Sequence, residues 1–282
     1  MIFYTHERNF GCRLTEYLYR GLRTVTLEND LLRITVLADK GSDILEFLYK
    51  PLDVDFMWRS PWGVRNPATF VATSHTRGSS FMDYYEGGWQ DCLPTAGSPC
   101  EYQGMPFGAH GETPTIPWDY AITEDTPERV AVRFSTRTYR TPFHVEKELS
   151  LERGKGVLSI RERVTNEGRV PMHLMWGHHP ALGAPFIDES CVIAIPGAEV
   201  HCTRLSKNTR LVEGVHEWPL VPGREGGSVD LSRVASIEAD TVDTLRLGNL
   251  REGWFAVTNT ARKVGFGMAW PLKVFPSIWF WQ

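Results

Sequence analysis

From residue 118 to residue 165 the chain repeats one pattern, short runs in which apolar and polar side chains alternate, and that period of two admits little besides antiparallel β-structure. Strands are predicted at residues 118–122, 129–136, 143–151 and 158–165. Turn residues separate them: Glu124-Asp125-Thr126-Pro127, the segment 139–142, and Arg153-Gly154-Lys155-Gly156. In 143–151, Phe143, Val145, Leu149 and Leu151 fall on one face and His144, Glu146, Glu148 and Ser150 on the other, which makes His144 a solvated residue. In 158–165, Leu158, Ile160 and Val164 alternate with Ser159, Arg161 and Arg163. The reading extends upstream to 31–37 and 44–49, paired around a turn containing Gly41, and downstream to 191–195, 200–203, 244–247, 254–258 and 264–269. No amphipathic helix longer than a few turns is expected. One all-β domain over residues 1–282 is the economical reading, since sandwiches run to about 200–250 residues as a single unit.

Between residues 64 and 117 the pattern lapses into Gly, Pro, Ser, Thr and aromatic residues, and a loop of that length is rare unless it has a function. Two constellations stand inside it, Gly87-Gly88-Trp89-Gln90-Asp91-Cys92-Leu93-Pro94 and Gly108-Ala109-His110-Gly111-Glu112-Thr113-Pro114. Glycines let the backbone approach a ligand closely, while Trp89, Gln90 and Asp91 offer an aromatic face, an amide and a carboxylate to hydroxyl groups. Two ordered turns would satisfy the same spacing. His110, set among small residues, is expected to be more exposed than a core histidine. Glu112 and Asp119 nearby are expected to raise its pKa above the usual ~6.5.

The third constellation lies beyond the turn Asn166-Glu167-Gly168. Residues 170–176 are apolar enough for a strand, which would deliver Gly177-His178-His179-Pro180 at its exit. Pro180 cannot continue a ladder and biases His179 towards an extended conformation, so two imidazoles would project from a stiffened strand end, a geometry suited to proton transfer. Hydrogen-bonded core histidines are the competing reading. A metal site is not expected: His173, His144, His201 and His216 are available, yet no HxH, HExxH or paired-cysteine spacing occurs.

Charge and composition narrow the partners. With 30 Lys+Arg against 34 Asp+Glu and no basic run, neither nucleic acid nor an anionic membrane is indicated. The chain is 12% aromatic, and many of its ten Trp sit beside Gly or Pro, as Trp58, Trp62, Trp89, Trp118, Trp176 and Trp218 illustrate. Such faces suit a sugar ring, and a core role suits them equally. Five cysteines without a regular framework favour reduced thiols in a cytoplasm. The opening residues lack a basic and an apolar region, and no apolar run reaches ~18 residues, so neither a signal peptide nor a membrane span is expected.

In chain order, GGWQDCLP, AHGE followed by PWDY, and VTNEG leading through MHLMWG into HHPALG resemble the aldose 1-epimerase (galactose mutarotase-like) family, in an uncharacterised bacterial branch, over residues 31–282. The resemblance implies a β-supersandwich of antiparallel sheets, a monosaccharide or sugar derivative as ligand, and two catalytic histidines. One belongs to a His-Gly loop, matched by His110-Gly111, and the other to a His-Pro-Ala segment, matched by His179-Pro180-Ala181 rather than by His178. Leu182 stands where the family has an aromatic. Trp89, Gln90, Asp91, Glu112 and His178 are the corresponding candidates for substrate binding.

Exchange of anomers needs a base for the anomeric hydroxyl and an acid for the ring oxygen, and no metal or organic cofactor is implied. Histidine serves as such an acid near neutral pH. The family's base is a glutamate near the C-terminus, and the final residues Phe275-Pro276-Ser277-Ile278-Trp279-Phe280-Trp281-Gln282 offer no match, which raises the expectation of a chain lacking its last strands. A sugar-binding or regulatory module without turnover is the alternative reading. Arg65 and Arg77 leave an acidic sugar open.

Overall fold

The structure, a computed structural model, describes residues 8–70, 79–203 and 205–282; Arg77 lies outside them. Alternating polarity produces antiparallel pairing, because a strand that buries one face needs neighbours to satisfy its backbone groups. Two compact units result, Met1–Gly183 and Ala184–Gln282. The first begins with β1 (Arg13–Tyr19), β2 (Leu22–Glu28), β3 (Leu32–Leu37), β4 (Asp43–Tyr49) and β5 (Val54–Asp55). A short helix, α1 (Ser79–Tyr84), precedes β6 (Trp89–Cys92) and the hairpin of β7 (Cys100–Tyr102) and β8 (Met105–Phe107). The long strands β9 (Asp119–Asp125), β10 (Arg129–Arg137), β11 (Phe143–Glu152) and β12 (Leu158–Asn166) follow, and β13 (Gly177–Pro180) comes last.

Seven of these strands make one sheet, ordered β1-β2-β3-β4-β6-β13 with β5 alongside β4, and four make a second, ordered β12-β11-β10-β9. The second sheet is the meander that the period of two predicts. β10 packs on β1 and β2, and β11 on β2. The core between the sheets is built from Leu14, Val25, Leu27, Ile34 and Val36 of one and Val130, Val132, Phe134, Val145, Leu149 and Leu151 of the other, all buried. Each such side chain contributes about 1.5–3 kcal/mol on leaving water.

The second unit holds β14 (Cys191–Ala194), β15 (Glu199–Cys202), β16 (Gly214–Glu217), β17 (Leu220–Pro222), β18 (Ser228–Asp230), β19 (Thr244–Gly248), β20 (Trp254–Asn259), β21 (Val264–Ala269) and β22 (Ile278–Trp281). They form sheets ordered β14-β20-β21 and β16-β15-β19-β22, with a β17–β18 hairpin. β22 pairs with β19 along Leu247↔Ile278 to Thr244↔Trp281 and stands at the end of its sheet. No helix among the described residues is long and apolar enough to cross a membrane.

Two expectations need correction. Residues 170–176 are not a strand: they have no ladder partner, and Val170 and Met175 are 59% and 50% exposed. The strand is Gly177–Pro180 itself, and Pro180, which has no N–H to give, is its last residue. The segment 64–117, read as loop, holds α1 and β6–β8. β6 escapes a search for alternation because all four of its residues are buried, Gln90 and Asp91 among them.

Candidate functional site

β6 and β13 carry the predicted histidine pair and its partners. They pair antiparallel, with His178 opposite Asp91, His179 opposite Gln90 and Pro180 opposite Trp89. β6 is entered through Gly87 and Gly88, both at positive φ; a Cβ on Gly87 would stand 2.1 Å from the Trp58 carbonyl oxygen, so only glycine lets the chain pass there. Successive strand residues point to opposite faces of the sheet. His178 and His179 therefore do not project into one space, as the sequence suggested: His178 joins Asp91 and Trp89 on one face, and His179 joins Gln90 on the other.

The His179 face meets a cluster of aromatic rings, and the structure brings His110 into it. The two imidazole rings lie 4.7 Å apart at their centroids. Phe81 of α1 stands 4.3 Å from His110 and 5.7 Å from His179, and Tyr85 5.6 Å from His179. Trp58 extends this cluster at 5.6 Å from Tyr85. The loop holds His110 at φ +59, a left-handed conformation costly for a residue with a Cβ, followed by Gly111 at φ +78. A hydrogen bond from His110 N to the Gly97 carbonyl, at 3.0 Å, and one between the imidazole and the Ala96 backbone hold it there.

Burial lowers the pKa of His110. Burial, with the neighbouring His110 adding to it, pushes that of His179 down to about 3. Both rings are thus neutral near pH 7. The expectation that Glu112 and Asp119 raise the pKa of His110 fails, because neither faces it: Glu112 Oε1 accepts from the Arg140 backbone N–H at 2.9 Å, and the Asp119 side chain is 90% exposed beside Arg23. Burial raises the pKa of Glu112 itself.

Gln90 is fully buried behind this cluster. Its amide Nε2 donates to the Gly87 carbonyl at 2.5 Å and lies 3.5 Å from Asp43 Oδ2 and Glu86 Oε1. Three oxygens around Nε2 settle the orientation of the amide and turn Oε1 away, where it has no partner among the described residues. The two carboxylates are bridged by Lys40, 2.7 Å from Asp43 and 2.5 Å from Glu86. Burial opposes the Lys40 charge, but both carboxylates outweigh it and push its pKa up to about 12. Burial raises the pKa of Asp43 well above the usual range, with Glu86 reinforcing it against Lys40.

The His178 face looks into the space between the two sheets of the first unit. His178 Nδ1 lies 3.0 Å from Asp91 Oδ1 and Nε2 lies 2.9 Å from Glu162 Oε2, while Lys147 Nζ is 2.5 Å from Asp91 Oδ2. Burial works against a charged His178, but the two carboxylates prevail and push its pKa up to about 10. The Trp89 indole N–H also stands 3.0 Å from Nδ1. That approach is not a hydrogen bond while Nδ1 carries a proton, and two carboxylates at hydrogen-bonding distance require the proton. Despite burial, Lys147 and His178 lower the pKa of Asp91. Burial and the Asp91 charge raise that of Glu162.

Lys147, Glu162, Lys40, Asp43 and Glu86 were not singled out in the sequence, and two of them carried a readable signal. Lys147 interrupts the apolar phase Phe143, Val145, Leu149, Leu151, and Glu162 interrupts Leu158, Ile160, Val164. The ladder sets these two interruptions directly opposite each other. Charged residues at core positions of adjacent strands require partners from elsewhere. Of the tryptophans offered as platforms, Trp118 is fully buried, Trp62 is 69% exposed, and Trp58 joins the aromatic cluster.

Asp91, Glu162 and His178 present ligand atoms within 4.8 Å of one another, the spacing of a metal site. Two cations of the chain, Lys147 and the His178 imidazolium, already balance the two carboxylates. A divalent ion would have to displace both, so this donor set does not fit one.

The family model described as Domain of unknown function (DUF4432) matches residues 19–282. No curated protein sequence matches the chain. Among solved structures, a "putative aldose 1-epimerase" from Klebsiella pneumoniae is 16% identical, with 96% of this chain and 74% of that chain covered and a TM-score of 0.70. A second "putative aldose 1-epimerase", from Escherichia coli, is 14% identical over 94% of this chain and 80% of its own, at 0.58. A galactose mutarotase-like protein from Clostridium acetobutylicum is 12% identical over 89% and 79%, at 0.56. At these identities the likeness shows the fold: an antiparallel β-sandwich of the mutarotase-like kind.

Proposed function

The chain belongs to the family Domain of unknown function (DUF4432), and from that premise we propose that it binds a monosaccharide or sugar derivative and exchanges its anomers in the manner of an aldose 1-epimerase. The observation that carries this reading is the approach of His110 and His179 within 4.7 Å in one aromatic pocket, each delivered by a different loop or strand. Phe81, Tyr85 and Trp58 supply apolar faces for the C–H side of a sugar ring, and Gln90 Oε1 supplies a buried acceptor for a hydroxyl.

The chemistry follows from two neutral imidazoles. One accepts the anomeric hydroxyl proton as the C1–O5 bond breaks and its electrons move to the ring oxygen, which takes a proton from the pair; an aldehyde forms at C1, turns, and recloses by the reverse steps. Because O1 and O5 share one carbon, a single proton held between adjacent imidazoles serves both. His179, whose surroundings hold a proton weakly, is a strong acid once protonated and is assigned to the ring oxygen. His110 is its partner. Polarimetry of freshly dissolved α-anomers tests the assignment: wild-type protein accelerates the approach to equilibrium, and rates equal to those of His110→Ala and His179→Ala would sink it.

A second reading has its own observation. With the pKa of His179 pushed down to about 3 and that of His110 lowered, neither of these two imidazoles is a standing acid at neutral pH, which favours a sugar-binding module without turnover. Calorimetry separates the two readings: binding of a hexose, pentose or uronic acid without acceleration of anomer exchange supports the module. All five cysteines are free thiols, which supports a cytoplasmic setting, and the sugar reading would place the protein in carbohydrate metabolism.

A further inference from the structure

β13 is a poor strand by ordinary standards. It has four residues, one neighbour and a terminal proline, and the chain before it is irregular and largely exposed. Backbone hydrogen bonds secure its flanks: Met175 N to the Pro94 carbonyl at 2.8 Å, Ala181 N to Gly88 at 2.9 Å, and Trp58 N to the Ala181 carbonyl at 2.7 Å. With the ladder to β6 they fix which face each ring takes, but they leave the tilt of this sheet edge against the facing sheet, and with it the exact aim of the His179 ring, to side-chain contacts.

His178 does reach across. Its imidazole Nε2 hydrogen-bonds Glu162 on β12 of the facing sheet, and its Nδ1 lies 3.0 Å from Asp91 on the adjacent strand β6 as an ion pair. Lys147 on β11 joins Asp91 and also donates to the Ser42 carbonyl at 2.9 Å, closing the connection back to the first sheet. Four charges from four strands are thereby buried, with side chains 2–9% exposed. Stability alone does not account for such an arrangement, because apolar side chains of similar volume commonly serve as well or better in a core. What a charged hydrogen bond across to the facing sheet adds is direction.

We propose that the Asp91–Lys147–Glu162–His178 quartet is a positioning device for His179: it pins the edge strand β13 to the facing sheet from behind and so aims the next side chain at His110. The meaning for catalysis rests on the pocket reading above, whereas the geometry stands without it. Since His178 and His179 are consecutive, a turn of the strand that frees one ring displaces the other by a comparable angle.

The test reads His179 directly. Ring resonances of His179 and the nuclear Overhauser contact between His110 and His179 are recorded for the wild type, Glu162→Ala and Glu162→Gln, alongside thermal midpoints and, where anomer exchange is present, kcat and KM. Glu162→Ala is expected to shift the His179 ring signals and weaken its contact with His110. Glu162→Gln, whose amide oxygen still accepts from His178, restores most of both. Where exchange is measured, kcat falls about 10²-fold in Glu162→Ala with KM little changed, as misplacement of a reacting group by about 1 Å does. A lowered thermal midpoint with His179 signals and contact unmoved would overturn the proposal. Should Glu162→Ala not fold, Glu162→Gln decides on its own: loss of one carboxylate brings the His178 titration midpoint down from about 10, and the His179 ring signals must follow that curve. Signals flat across it refute the device. Absence of sugar turnover leaves these spectroscopic outcomes intact, so failure of the sugar reading and failure of the positioning role are distinguishable.

Discussion

His178 and His179 are adjacent, share a strand and are both buried, yet the pKa of one is about 10 and that of the other about 3. Desolvation pushes both down. On the inter-sheet face two carboxylates reverse it; on the other face the shift stays downward, and a second imidazole adds to it. Burial is common to both faces, and the partners decide which ring is an ion. One face is therefore a closed, balanced set of four charges, and the other is a neutral, aromatic-walled space with an acceptor left over at Gln90. The first is the joint proposed above, and the second is the proposed ligand site.

The comparison can be broken first at the pocket. His179→Ala and His110→Ala are each expected to lower the rate of anomer exchange ~10²–10⁴-fold while leaving the thermal midpoint within a few degrees; loss of fold with either would place these residues with the joint instead. The converse substitution is Lys147→Met, which leaves the Asp91 carboxylate buried beside only one cation. It is expected to cost about 3–5 kcal/mol in chemical denaturation, and a loss below 1 kcal/mol would show that the face is not closed.

The pH dependence of stability sharpens the contrast because the two rings contribute with opposite slopes. His178 binds its proton more tightly in the folded chain than in the unfolded one, so its contribution is full below about pH 6.5 and lost as pH rises towards 10. His179 binds its proton more weakly when folded, so its contribution is full above about pH 6.5 and lost as pH falls towards 3. Denaturation midpoints across that range are expected to peak between the two, and His178→Gln and His179→Gln are expected to flatten the alkaline and the acid limb respectively. The smallest effect belongs to an ion pair outside both faces. Arg137 and Glu167 meet at 2.8 Å with side chains 65% and 40% exposed. Glu167→Gln is expected to leave both denaturation and sugar binding unchanged, since water screens such pairs.

Much of the fold was legible. Alternation from residue 118 to 165 corresponds to β10–β12 within one residue at each end, while β9 runs on through Glu124 and Asp125, which the sequence pattern assigns to a turn; the hairpin around Gly41 corresponds to β3 and β4. Alternation misled where polarity and pairing part company. The apolar segment 170–176 has no partner strand and is largely exposed, whereas Gln90 and Asp91, polar by type, sit in a fully buried strand, the Gln90 amide nitrogen donating to the Gly87 carbonyl and Asp91 paired with Lys147. Of the candidate residues, His110 and His179 share one pocket with Gln90 behind them; Trp89, Asp91 and His178 share the opposite face; and Glu112 is engaged by Arg140.

By itself the sequence determined the strand periods, the places where glycine must let backbone approach backbone, and the presence of two histidine-bearing segments bounded by Gly and Pro. Those properties depend on neighbours within a few residues, which is the range over which side-chain alternation and φ preferences act. Only the tertiary structure decided which histidine is charged. Asp91, Lys147 and Glu162 come from three different strands, and Lys147 stands 56 residues from Asp91 along the chain. A buried group takes its charge state from whatever lies within a few ångströms of it, and that company is assembled by the packing of one sheet on the other.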